Sequence, residues 1–108
     1  MLYYKADIGV IGGSGLYELY PDVKKIDVDT PYGKTSDAIS LVTVGDKKVA
    51  FMPRHGKDHT LNPSEINYRA NIDAFAQLGI RALISPCCVG SLRPEIAPGD
   101  FVVTDQFI

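Results

Sequence analysis

The sequence predicts an α/β domain, a mixed β-sheet flanked by helices. Three observations carry this. Short apolar or alternating runs come first, at residues 8–11, 25–29, 39–44 and 48–52. One stretch, residues 62–78, then repeats its apolar residues at helical spacing, and two further apolar runs follow at 80–85 and 101–105. Strands, a long helix and strands again make a layered sheet and helix domain.

Each element has a local reason. Ile8-Gly9-Val10-Ile11 runs into Gly12-Gly13-Ser14-Gly15, a buried strand ending in a tight turn. Leu16 to Leu19 suits a short helical turn. Lys25 to Asp29 alternates polar and apolar, as a half-exposed strand does, and Thr30-Pro31-Tyr32-Gly33-Lys34 is turn chemistry. Residues 39–44 and 48–52 meet at Gly45-Asp46, which predicts a hairpin. Asn62, Pro63 and Glu65 announce a helix as cap, first-turn proline and capping-box acid. Ile66, Ala70, Ala74 and Leu78 form its buried stripe, widened by Tyr68, Ile72 and Phe75, and Gly79 stops it. Pro98-Gly99-Asp100 turns the chain into a last strand, 101–105. A sheet ending there exposes an apolar edge, so further polypeptide is expected to cover it.

Composition narrows the function classes. The 108 residues carry 11 basic and 13 acidic side chains, a net charge of −2. No basic surplus speaks for nucleic acid or an anionic membrane, so any bound anion must be held by a local site. No apolar run reaches the roughly 20 residues of a membrane span, and residues 1–7 lack the pattern of a signal peptide. A cytoplasmic location is the expectation.

Three polar or glycine-rich loops each follow an apolar strand, at 12–15, 54–60 and 86–91. Ligands of open α/β sheets bind outside the carboxyl ends of strands, so three such loops can converge if their strands are parallel neighbours. The first lets backbone N–H groups and the Ser14 hydroxyl approach an anion, or is simply a tight strand-to-helix turn. It is neither a P-loop nor a dinucleotide fingerprint, since no Gly-Lys-Ser/Thr follows and position 18 is Glu. The second carries Arg54, whose planar fork suits phosphate, and His55, which can add a contact or take a proton from phosphate. A solvent-facing polar loop is the alternative. His59 stands four after His55, the spacing of a helical metal pair, but Pro53 and Gly56 argue against a helix and no third ligand is evident, so no metal is expected. The adjacent Cys87 and Cys88 fit small, buried, reduced thiols at a strand end, or a place in the site through their backbone N–H groups.

Taken together these segments resemble the methylthioadenosine phosphorylase branch of the trimeric purine nucleoside phosphorylases. The resemblance rests on Ile11 to Leu16, Thr30 to Gly33, Pro53-Arg54-His55-Gly56 with His59-Thr60, Asn67 to Asn71, Gly90 to Arg93, and Pro98-Gly99-Asp100 through Asp105-Gln106-Phe107. It implies a purine nucleoside phosphorylase-like fold, incomplete in this chain, with residues 1–108 as the N-terminal part of a single phosphorylase domain. It implies Ser14, Arg54 and His55 as phosphate ligands, with His55 also catalytic, and Cys87 and Cys88 beside the phosphate. Two cysteines there depart from the family's small polar residue followed by a small residue. His59 is expected to orient the loop or line the sugar pocket.

The activity so implied is phosphorolysis of 5′-methylthioadenosine or a related purine nucleoside. Inorganic phosphate is the co-substrate and no cofactor takes part. Alternatives are a phosphorylase of 6-oxopurine nucleosides and a non-catalytic phosphate- or nucleotide-binding fragment. The expected partners are the nucleoside, phosphate and further copies in a trimer or dimer of trimers, or a second chain supplying the missing part.

Overall fold

The computed structural model describes residues 4–13, 23–106 and 108. The expected turn at 16–19 lies outside them. In chain order the elements are β1 (Ile8–Gly12), β2 (Lys24–Ile26), β3 (Ile39–Val44), β4 (Lys47–Pro53), α1 (Tyr68–Gln77) and β5 (Ala82–Ile84). Among the described residues they form one five-stranded mixed sheet, ordered β2-β3-β4-β1-β5.

The hairpin forms where expected. β3 and β4 are antiparallel, with Val44 opposite Lys47 across the two-residue link Gly45-Asp46. Gly45 has φ +62°, a conformation that a β-carbon disfavours and a tight hairpin turn requires. β1 pairs in parallel with both β4 and β5, placing Gly12 beside Pro53 and Val10 beside Ile84. The carboxyl ends of all three strands therefore share one edge.

α1 links β4 to β5 and lies against the sheet. Ala70, Ala74 and Leu78 are fully buried, and Phe75 and Ile66 nearly so. Of these, Ala74, Phe75 and Leu78 share one core cluster with Ile11, Ile39, Ala50 and Met52. Gly9 makes the close approach possible. A β-carbon there would sit 2.8 Å from Phe75 Cδ1, 3.0 Å from Leu83 Cδ1 and 3.1 Å from Ile80 Cδ1.

Several expectations are corrected. The helix starts at Asn67, not Asn62. The Asn62 carboxamide accepts from the Ser64 and Glu65 N–H groups, while Glu65 Oε1 accepts from Asn62 N. This reciprocal box closes only one turn. Asn67 then caps the real helix: its Oδ1 accepts from Ala70 N at 3.1 Å, and its Nδ2 donates to Tyr32 O at 2.7 Å. Tyr68 and Ile72 lie on the open side of α1, about half exposed, because the seam facing the sheet is only as wide as its small alanines allow. β2 ends at Ile26, not Asp29, since its pairing with β3 stops at Ile39. The last run forms no strand. Residues 101–105 pair with nothing described, and a strand without a ladder partner has no bonds to hold it.

Asn71 is a buried polar residue on α1, 2% exposed. Its Oδ1 accepts from Ser36 N and its Nδ2 donates to Ser36 Oγ, both at 2.9 Å. The segment before β3 is thereby fastened to the helix.

Two stability predictions follow from this packing. Gly9→Ala should destabilise the fold by about 1–3 kcal/mol through overpacking against Phe75, measured as a lowered urea midpoint. Asn71→Ala should cost a similar amount, about 1–3 kcal/mol, because it strands the Ser36 N–H. Its signature is faster exchange of the Ser36 amide hydrogen.

Candidate functional site

The parallel register of β4, β1 and β5 sets the ends of the three strands, where the three loops begin, side by side. Arg54 immediately follows β4, and its N–H continues the ladder by donating to Gly12 O at 2.8 Å. Its side chain then crosses the ends of the other two strands. Nη2 lies 2.9 Å from Pro86 O, 3.1 Å from Ser85 Oγ and 3.3 Å from Ile11 O. Nη1 rests against Gly13, 3.2 Å from where its β-carbon would stand. A side chain at 13 would press on the guanidinium, which is a physical reason for glycine there.

One end of the half-buried fork is thus spent on protein acceptors. Nη1, which meets no acceptor among the described residues, faces Gly13 beside the strand ends. A guanidinium is chemically suited to hold a tetrahedral oxyanion.

His55 is oriented from two sides. Its Nδ1 lies 2.9 Å from Leu61 O. A carbonyl only accepts, so Nδ1 carries the hydrogen and, in the neutral ring, Nε2 is the lone-pair nitrogen. The His59 ring stacks on it, with centroids 4.4 Å apart and planes 23° from parallel. Residues 54–59 are successive turns, with Gly56 at φ +81° and His59 at φ +54°, so the two imidazoles are brought together by stacking and not by a helix. Holding a β-carbon residue at positive φ costs on the order of 1 kcal/mol, and here it sets one ring over the other.

Ser14 lies outside the described residues. Cys87 and Cys88 directly follow Pro86, whose carbonyl holds Arg54. Both are free thiols and both are exposed, which corrects the expectation of burial. β5 ends at Ile84, and of the residues just beyond it Ser85 and Pro86 are held by Arg54.

Three residues that sequence reading missed support the loop. Asp37 Oδ2 accepts from Lys57 N at 2.7 Å, and Ser36 and Asn71 fasten the same segment to α1. Nothing local marks them, because their partners are 20 and 35 residues away.

Comparison with known proteins agrees with this geometry. Residues 7–108 match the phosphorylase superfamily. The purine nucleoside phosphorylase of Streptomyces coelicolor is 54% identical over 104 residues, covering 96% of this chain and 37% of that protein. The S-methyl-5′-thioadenosine phosphorylase of Saccharolobus solfataricus is 55% identical over 106 residues, covering 96% and 39%. Among solved structures, methylthioadenosine phosphorylase from Schistosoma mansoni in complex with adenine gives a TM-score of 0.81 at 43% identity, covering 89% of this chain and 34% of that one. The chain spans little more than a third of the length of these relatives. Profile, identity and superposition agree from β1 onward, and the chain belongs to the phosphorylase superfamily.

Proposed function

We propose that these residues form the phosphate-binding part of a pentosyltransferase. It cleaves 5′-methylthioadenosine, or a close purine nucleoside, with inorganic phosphate to give the free purine and a ribose 1-phosphate derivative. The observation that carries this reading is the seat of Arg54, between Gly13 just after β1 and Ser85-Pro86 just after β5. Similarity to S-methyl-5′-thioadenosine phosphorylases at about half identity supports the substrate class.

In this reading a phosphate oxygen attacks C1′ of the ribose. The C1′–N9 bond breaks, and the purine leaves from the opposite face with the bonding pair. Positive charge builds on the sugar in the transition state. A phosphate held against it supplies electrostatic stabilisation, and holding it in line removes an entropic barrier. Arg54 meets the phosphate through Nη1 while Nη2 stays on the protein. Ser14 and the N–H groups of the glycine turn and of Cys87 and Cys88 orient it. His55, with Nε2 as acceptor, takes a proton from phosphate and raises its nucleophilicity, and His59 holds the ring in place. The reaction requires no cofactor.

Residues 1–108 then serve as the N-terminal part of a single phosphorylase domain, and the groups that read the purine and the 5′ substituent belong to the longer protein. That protein is a cytoplasmic homo-oligomer, a trimer or dimer of trimers. Among the described residues no helix is long and apolar enough to cross a membrane. The second reading is a preference for other purine nucleosides, 6-oxopurine nucleosides among them; the likeness to the Streptomyces coelicolor purine nucleoside phosphorylase supports a purine nucleoside of some kind.

In the complete polypeptide, Arg54→Ala should remove charged hydrogen bonds worth about 2–3 kcal/mol. The kcat/KM for phosphate then falls roughly 30- to 150-fold, measured by initial rates against phosphate concentration. An unchanged phosphate response would remove Arg54 from the site. Turnover of 5′-methylthioadenosine against inosine separates the two substrate readings, and the first is expected to be preferred.

A further inference from the structure

The loop that carries Arg54 and His55 is stitched mostly to itself. Gly56 N donates to Pro53 O, His59 N to Gly56 O and Leu61 N to His55 O, at 3.0–3.1 Å. Arg54 N reaches β1, but it lies at the very start of the loop. Beyond Arg54, a side chain from outside the loop bonds its backbone: Asp37, whose Oδ2 accepts from Lys57 N at 2.7 Å.

Asp37 is well placed to act as a fixed post. Its Oδ1 accepts from Ala38 N at 2.7 Å, and its own carbonyl accepts from Thr35 Oγ1 at 2.8 Å. The preceding residue, Ser36, is fastened to buried Asn71 of α1. Ser36 O also lies 3.4 Å from where a Gly56 β-carbon would be, so this segment packs directly against the loop. A carboxylate accepting a backbone N–H makes a shorter, stronger bond than a neutral acceptor does. A chain of contacts therefore runs from the helix, through Asn71, Ser36 and Asp37, to Lys57, two residues from His55.

We propose that Asp37 is a positioning residue for phosphate: its carboxylate holds the Lys57 amide and thereby fixes the loop that presents Arg54 and His55. This rests on the reading of those two residues as phosphate ligands. It adds that their alignment depends on a residue that touches no substrate. Loss of the bond frees the middle of the loop, so phosphate binding suffers before nucleoside binding does.

The test compares wild type, Asp37→Ala and Asp37→Asn in the complete polypeptide, measuring KM for phosphate and for the nucleoside separately alongside Tm. Asp37→Ala is expected to raise the phosphate KM about tenfold, with the nucleoside KM within about twofold. Asp37→Asn keeps one acceptor oxygen and is expected to fall between wild type and Asp37→Ala. A phosphate KM within twofold of wild type in Asp37→Ala, or equal rises in both KM values, would overturn the proposal. If Asp37→Ala does not fold, Asp37→Asn decides alone: a selective rise in phosphate KM supports the role, and an unchanged one overturns it. Wild type in the same assay separates the layers. Absence of phosphate-dependent cleavage by wild type sinks the enzymatic reading and this proposal together, whereas normal wild-type kinetics with unaltered variants sinks this proposal only.

Discussion

Parallel pairing of β1 with both β4 and β5 is the constraint on which the site depends. It sets three strand ends side by side, although the loops that follow them are tens of residues apart in the chain. Arg54 then exploits the arrangement. It leaves the end of β4 and reaches oxygens at the ends of β1 and β5 with a single nitrogen. The guanidinium is therefore both a clasp for the strand ends and a charged surface beside them. Its delocalised charge and rigid fork allow the two roles to coexist, which a lysine ammonium would not.

Backbone geometry around that clasp is chosen for close approach. Glycine at 13 lets the guanidinium lie against the backbone at the end of β1, and glycine at 9 lets Phe75 lie on the sheet. The two requirements are linked, because α1 seats Asn71, and Asn71 holds the segment that braces the loop after Arg54. Packing of a helix on one face thus reaches the polar edge of the sheet through a few hydrogen bonds. The stacked imidazoles of His55 and His59 complete the loop, with one ring nitrogen committed to Leu61 O.

The other flank is open. Leu83 and Ile84 of β5 are 41% and 54% exposed, and Phe101 and Val103 are almost fully so. Apolar surface of this kind, running along an edge strand, is what folded proteins ordinarily cover. The relatives are more than twice as long as this chain, and their additional length is where such cover would come from. Cys87 and Cys88 lie on the same open flank.

Much was legible in the sequence alone. Periodicity located β1, β3, β4 and β5 and the buried stripe of α1, because these follow from side chains a few residues apart. Gly45-Asp46 announced the hairpin. The helix start was misread because Asn62 and Asn67 are both competent caps. Only the contact of Asn67 with Tyr32 marks the second as the true one. The strand at 101–105 was misread because alternation signals a capacity to pair, while pairing requires a partner edge. Strand order, the convergence on Arg54, the tautomer of His55 and the bracing by Asp37 and Asn71 were decided by tertiary structure. Each depends on groups that folding brings within about 3 Å of one another across long stretches of chain, and local sequence carries no record of such distances.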